Sequence, residues 1–214
     1  MTEPSGYSIR QCTREACSLR YPLVNDHPYG ERCPRCGAST AVVINLPLNR
    51  EPAVGFDILE GPHLEALLDN IRSAWNVGSI FRTADGLGIR CLHLCGLTPT
   101  PENPKVVKTS LGAEKKVAWR QYNDGVKAAR ELREQGFHLW ALEDCPQAEV
   151  LTDLGSYTSR GPLLLVVGNE ISGVDPGILD LCERVLSIPM RGVKRSFNAA
   201  VAFGIAAYHL SISI

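Results

Sequence analysis

The chain has 214 residues, 44% hydrophobic and 21% charged, an ordinary globular balance that excludes wholesale disorder. Its net charge of −1 excludes a general polycation, so any nucleic-acid binding must come from local basic patches. No apolar run reaches the roughly 20 residues of a membrane helix, and MTEPSGYSIR has no apolar signal core, so the expectation is a soluble, cytoplasmic chain without membrane contact.

Eight cysteines are unevenly spread. Cys12, Cys17, Cys33 and Cys36 read C-x4-C-x15-C-x2-C, whereas Cys91, Cys95, Cys145 and Cys182 sit among apolar segments, where a thiol acts as a small hydrophobe. Without an export signal, clustered cysteines point to metal rather than disulfides. Cys33-Pro34-Arg35-Cys36-Gly37 has the form of a zinc knuckle, and four thiolates make a closed, structural Zn²⁺ site. The alternatives are four unrelated thiols, or a set in which His27 replaces one cysteine. Residues 1–46 are thus expected to form a small zinc-ribbon-like module. Arg10, Arg14, Arg20, Arg32 and Arg35 with Tyr7, Tyr21 and Tyr29 suit RNA contacts there, although nearby acids nearly cancel the charge. Residues 47–53, with Pro47 and Pro52 bracketing charged side chains, read as a linker.

From residue 54 onward, short apolar runs alternate with amphipathic stretches. The pattern predicts strands at His63–Leu68, Cys91–Cys95, His138–Leu142, Leu163–Val167 and Val185–Ile188, and helices at Val77–Gly86, Asp124–Gln135, Pro176–Leu181 and Asn198–Leu210. Leu163 to Val167 is an unbroken apolar run, as a parallel strand covered on both faces requires. The expected class is α/β with a mostly parallel sheet, its ligands bound beyond the carboxyl ends of the strands.

Three loops there carry polar residues with chemical meaning. The first, Asn76 to Gly88, opens a helix; Gly78 leaves room for a ligand near the backbone, while Arg82 taken alone is an ordinary solvated helix arginine. The second, Val166 to Gly173, leaves the buried run with Gly168 and Glu170, a pattern that fits a ligand loop or merely a chain reversal. The third runs from Ser187 to Asn198. Ser196 or Asn198 suits a helix cap, and Arg191, Lys194 and Arg195 around Gly192 suit either a solvated face or a polyanion.

In order and spacing these loops resemble the signature motifs of the SpoU (TrmH-like) RNA ribose 2′-O-methyltransferases of the SPOUT superfamily. The matching residues are Asn76-x-Gly78-x3-Arg82-Thr83-Ala84, Gly168-x-Glu170-x2-Gly173, and Ile188-Pro189-Met190-x-Gly192-x3-Ser196-Phe197-Asn198. Thr109-Ser110-Leu111-Gly112-Ala113 also looks like the family's T-S-x-G-A segment. The resemblance covers residues 54–214 and implies an α/β trefoil-knot domain, S-adenosylmethionine as donor, tRNA or rRNA as acceptor, and a homodimer. It places Leu142, Gly168, Ile188, Met190, Ser196 and Phe197 against the cofactor. Arg82, Asn76, Glu170, Ser196 and Asn198 would form the catalytic shell, with Arg82, Arg191, Lys194 and Arg195 on RNA. Phe197 departs from the family's usual Leu, and Ala199-Ala200-Val201 from its usual V-S-V.

The implied reaction makes one demand above others. A ribose 2′-hydroxyl is barely acidic at neutral pH, so charge growing on its oxygen needs stabilising. A guanidinium with a pKa above ~12 is a poor base, and Arg82 is expected instead to hold the adjacent phosphate and the incipient oxyanion. Asn76 would orient the substrate or Arg82, and Glu170 would hold donors in place. The alternative reading is a catalytically inactive zinc-ribbon RNA-binding or assembly protein on the same fold. A dinucleotide-binding enzyme would want G-x-G-x-x-G after the first strand, and none stands there.

Overall fold

The computed structural model describes residues 6–25, 27, 31–47, 63–154 and 161–213. The chain divides into two compact units, Met1–Asp57 and Ile58–Ile214. Of the expected linker, Pro47 ends a strand and residues 48–53 lie outside the described residues, as does Tyr29.

In the first unit β1 (Gly6–Cys12), β2 (Arg20–Val24) and β3 (Thr40–Pro47) form an antiparallel sheet in the order β2-β1-β3. A register irregularity at Ile9/Arg10 bends the central strand, and Arg10 Nε donates to Thr40 Oγ1 at 2.8 Å across the β1–β3 pair. The buried hydrophobic residues described in this unit are Cys12 and Cys33, while Val42, Val43, Ile44 and Leu46 of β3 stay exposed. A sheet with so little apolar core needs a further source of folding energy.

The second unit runs β4 (Leu64–Asp69), α1 (Ala74–Gly86), β5 (Cys91–Cys95), α2 (Pro104–Ser110), β6 (Ala118–Tyr122), α3 (Gly125–Glu134), β7 (His138–Leu142), β8 (Glu149–Val150), β9 (Leu163–Val167), α4 (Pro176–Leu179), β10 (Arg184–Ser187) and α5 (Ala199–Ser213). The strands expected at 91–95, 138–142 and 163–167 have those bounds; the other two are displaced by one residue. Helix α1 starts three residues before the expected Val77 because Ser73 caps it, its side chain accepting from Asn76 N. The strands β6 and β8 and the helix α2 were not expected. β6 is an edge strand whose sequence AWRQY is mostly polar, β8 has two residues, and Asn103-Pro104 reads as a turn although it is the cap and first residue of α2.

All strand pairs in the seven-stranded sheet β6-β5-β4-β9-β7-β10-β8 are parallel. All five residues of β9 are buried between β4 and β7. Alternation sends Leu163, Leu165 and Val167 to one face, with α1 and α5, and Leu164 and Val166 to the other, with α3 and α4. The chain therefore forms a mostly parallel α/β domain of the expected class. β10 lies between β7 and β8, which follow one another in the chain, and it joins α4 on one face to α5 on the other. β10 is thus inserted between two strands that precede it in the chain. No helix among the described residues is long and apolar enough to cross a membrane.

Candidate active site and cysteine cluster

A cavity opens at the carboxyl ends of β7, β9 and β10. Leu142, Gly168, Ile188, Met190, Ser196 and Phe197 all line it. Ala199 and Ala202 of α5 complete an apolar wall, and Glu143 and Asp144, from the end of β7, add carboxylates.

One wall is a tight reversal. Asn169 and Gly173 exchange backbone hydrogen bonds, each of 3.0 Å. Asn169 Oδ1 accepts from the amides of Ile171 and Ser172, and its Nδ2 donates to Asn70 O at 2.7 Å. The reversal brings Gly173 and Val174 against Gly168, where a Cβ would collide with the amide of Val174 and the carbonyl of Gly173. Glycine is required there so that the backbone can line the cavity. Glu143 accepts from Val174 N at 2.9 Å and pins the far side. Below, buried Asp69 accepts from Asp175 N and Asn70 Nδ2. Burial, with Asp175's charge adding to it, pushes the Asp69 carboxyl above its ordinary pKa.

The three motif loops meet through side chains. Glu170 Oε1 accepts from Asn76 Nδ2 at 2.8 Å and from Ser73 N at 3.1 Å, while Oε2 accepts from Arg72 N at 2.9 Å. Desolvation works to raise the Glu170 pKa, but amide donation from Arg72 leads a set of hydrogen bonds that holds it below the ordinary value. Asn76 Oδ1 accepts from Asn198 Nδ2 at 2.9 Å. Asn198 Oδ1 in turn accepts from Ala200 N and Val201 N, so the residue caps α5 and joins the network at once. Asn76, Glu170 and Asn198 form one chain of hydrogen bonds.

Other expected residues stand apart. Six residues at about 100° each put Arg82 about 240° around α1 from Asn76; it is exposed, does not line the cavity, and has no side-chain partner among the described residues. Asn76 therefore does not orient Arg82, since both ends of its amide are taken. Ser196 and Arg195 line the cavity, whereas Arg191 and Lys194 are exposed outside it. Gly78 serves no ligand: a Cβ there would strike Val106 O and Thr109 of α2, so this glycine permits helix packing. Glu143, Asn169 and Asp69 belong to none of the three motifs' named positions, yet each is a polar residue at or within two positions of the end of an apolar strand, the same signal that marks Glu170.

In the first unit the Cys12, Cys17, Cys33 and Cys36 sulfurs all lie within 4.8 Å of one another, and His27 is not among them. Cys12 Sγ is 3.5 Å from Cys36 Sγ and Cys17 Sγ is 3.8 Å from Cys33 Sγ. Zinc–sulfur bonds of about 2.3 Å place tetrahedral sulfurs about 3.8 Å apart, so the donor set fits Zn²⁺. Burial pushes the Cys33 thiol up, but amides led by Arg35 and Cys36 outweigh it and bring the pKa to about 7. Gly37, at φ +70°, closes the turn that aims these amides. Glu65, Cys91 and His93 form a second group of donors. There His93 Nε2 and Glu65 Oε2 lie 2.7 Å apart, a hydrogen-bond distance, with His63 and Tyr122 bonded at either end.

An all-parallel sheet with β10 inserted between β7 and β8 and a cavity at its strand ends defines a SPOUT-type α/β domain. Residues 63–208 match the SpoU rRNA Methylase family, and the chain belongs to it. It is 30% identical over 168 residues to the 23S rRNA (guanosine-2′-O-)-methyltransferase RlmB of Ralstonia nicotianae, covering 78% of this chain and 65% of that protein. It is 33% identical to the tRNA (guanosine(18)-2′-O)-methyltransferase of Thermus thermophilus, covering 66% of this chain and 70% of that one. The SpoU methyltransferase AviRb of Streptomyces viridochromogenes, solved with AdoMet, is 26% identical with a TM-score of 0.62, covering 82% of this chain and 65% of that one. The chain thus spans slightly less than two thirds of the length of some of these relatives.

Proposed function

We propose that the protein transfers a methyl group from S-adenosylmethionine to a ribose 2′-hydroxyl of tRNA or rRNA in the cytoplasm. The observation that carries this reading is the hydrogen-bonded chain Glu170–Asn76–Asn198, which ties all three motif loops to one cavity. An inactive binding protein would have no need of so complete a network. S-adenosylmethionine, when bound, supplies a methyl group already activated on a sulfonium. Leu142, Ile188, Met190 and Phe197 offer the apolar surface its adenine needs, and the close backbone at Gly168 leaves the cradle open. Glu143 and Asp144 place negative charge beside a cationic donor.

Arg82 holds the acceptor phosphate and stabilises charge growing on the 2′-oxygen, acting as a fixed cation and not as a base. Its guanidinium is exposed and has no side-chain partner among the described residues, which leaves it available to an incoming phosphate. Asn76, Glu170 and Asn198 fix the frame in which the donor and α1 are held, and Ser196 adds a hydroxyl to the cavity wall. Arg195, Arg191 and Lys194 draw in the RNA backbone. A second copy of the chain packs on α5, where Val201, Ile205, Tyr208 and Ile212 form an exposed stripe beside a groove lined by Ser79, Thr83 and Gly204. Residues 1–46 hold one Zn²⁺ on Cys12, Cys17, Cys33 and Cys36, which supplies folding energy and leaves no open position for catalysis. Residues 47–53 join this module to the catalytic domain of residues 54–214.

The test is methyl transfer to RNA with labelled S-adenosylmethionine, followed by nuclease digestion and mass analysis of the nucleosides. The expected product is a ribose-methylated nucleoside. Methylation confined to a base nitrogen refutes the reading.

A further inference from the structure

Trp75 has no part in the network just described. It is 45% exposed on the first turn of α1, whereas Trp140 is fully buried and Trp119 packs against the core. Its surroundings explain why it is left half exposed. Gly78 turns one flank of α1 toward α2, and Ser79 and Thr83 turn the other flank toward α5. Trp75 lies on the outward stripe between them.

Arg82 lies on that same stripe. Seven residues make nearly two whole turns, so the two side chains share a face about 10.5 Å apart along the axis. Lys108 Nζ of α2 stands 5.6 Å from the Trp75 ring centroid, within cation–π range. Lys105 is exposed one turn earlier on α2, a helix without acidic residues. Trp75 is also adjacent to the frame of the site, for Arg72 and Ser73 just before it donate to Glu170 and Asn76 follows it.

We propose that Trp75 is a stacking platform for an unpaired RNA base near the target nucleotide, with Lys108 and Lys105 neutralising the phosphates beside it. This rests on the methyltransferase reading above. An exposed indole flanked by lysines is the chemistry of single-strand recognition, in which a base covers the ring and cations follow the backbone. Lysines are depleted at protein–protein interface cores, so a second copy of this chain suits the patch less well. The spacing assigns the division of labour: Arg82 holds the phosphate and oxygen at the reacting ribose, and Trp75 holds a neighbouring base that the ribose itself cannot fix. One stacked base accounts for a roughly five- to 150-fold change in affinity.

Two measurements on the intact protein test this. Titration with poly(A), followed by tryptophan fluorescence, is expected to quench the wild type and Trp119→Phe but not Trp75→Phe. With bulk RNA from cells lacking the enzyme, Trp75→Ala is expected to raise KM about five- to 150-fold while kcat stays within about twofold. S-adenosylmethionine affinity should stay unchanged, and Trp75→Phe should retain most of the wild-type KM. Quenching that persists in Trp75→Phe, or an unchanged KM in Trp75→Ala, overturns the proposal. So does a Trp75→Ala protein that changes its sedimentation, which assigns the patch to a second copy. If the wild type transfers no methyl to ribose, the methyltransferase reading falls separately, and the quenching still decides whether Trp75 meets RNA.

Discussion

Glu170→Gln isolates the frame of the site with the least change in shape. In the wild type, Oε1 serves two donors, Ser73 N and Asn76 Nδ2, and Oε2 serves Arg72 N. Glutamine keeps one oxygen, which faces the two-donor side, so its NH₂ group points donor to donor at Arg72. A buried donor left without a partner costs about 1–3 kcal/mol. Arg72 is exposed and water shares the loss, so about 1 kcal/mol applies. The other two bonds fall from charged to neutral strength at roughly 0.5 kcal/mol each. The sum, about 2 kcal/mol, lowers Tm by about 4–8 °C in a domain of this size. Thermal unfolding by circular dichroism at neutral pH measures it, and methyl transfer should drop about tenfold as the Arg72 end of the frame comes loose and the bond to Asn76 weakens. The pH dependence supplies a second check. Glu170's folded pKa lies below its ordinary 4.5, so its contribution is fully present above that value and is lost as pH falls through the folded pKa. The gap between variant and wild type should therefore be constant above about pH 5.5 and close in acid. A variant with wild-type Tm and activity, or a gap that persists in acid, refutes the reasoning.

Arg82→Ala should lose about 100- to 1000-fold in transfer rate, with cofactor affinity nearly intact, and Arg82→Lys should not rescue it because a point charge cannot hold two oxygens in a fork; single-turnover rates alongside calorimetric binding decide this. Gly168→Ala drives a methyl group into the Gly173–Val174 backbone; it should weaken S-adenosylmethionine binding by about tenfold or more, and wild-type affinity would show that the reversal can shift freely. Metal analysis of the purified chain should find about one zinc ion per chain, and Cys33→Ser should lose it and expose residues 6–47 to protease. Cofactor binding by the second unit should survive that change, and a Cys33→Ser protein that retains its zinc would count against the four-sulfur site.

What was legible in the sequence followed from burial and from backbone constraint. The run Leu163 to Val167 shows no alternation because both faces of β9 are covered, and that is visible in five letters. Gly168, Glu170 and Asn198 stand out in the sequence because each is a glycine or polar residue just after an apolar run or just before a helix. Gly78 is ambiguous in the sequence, since a glycine required by a neighbouring helix looks the same there as one required by a ligand; only the position of Thr109 separates them. β6 escaped notice because an edge strand needs few apolar residues, and α2 because Asn103-Pro104 signals a turn and a helix start alike. The contact between Asn76 and Glu170, 94 positions apart, depends on strand order, which local pattern does not encode. Trp75 carries no signal in the sequence because its exposure is a property of what packs on either side of it.

The late insertion of β10 between β7 and β8 has a consequence for when the cavity is complete. Leu186, Ile188 and residues as far as Ala202 line one side of it, and they come to it from the part of the chain that follows β9. A nascent chain that has left the ribosome only as far as Gly173 already has Glu170 and Asn76 to pair, but half a pocket. The second half comes with residues 186–202, after the earlier strands have had time to collapse. The cavity is therefore closed by the same stretch that brings α5 onto Leu163, Leu165 and Val167, so completing the site and covering that face of the sheet are one event.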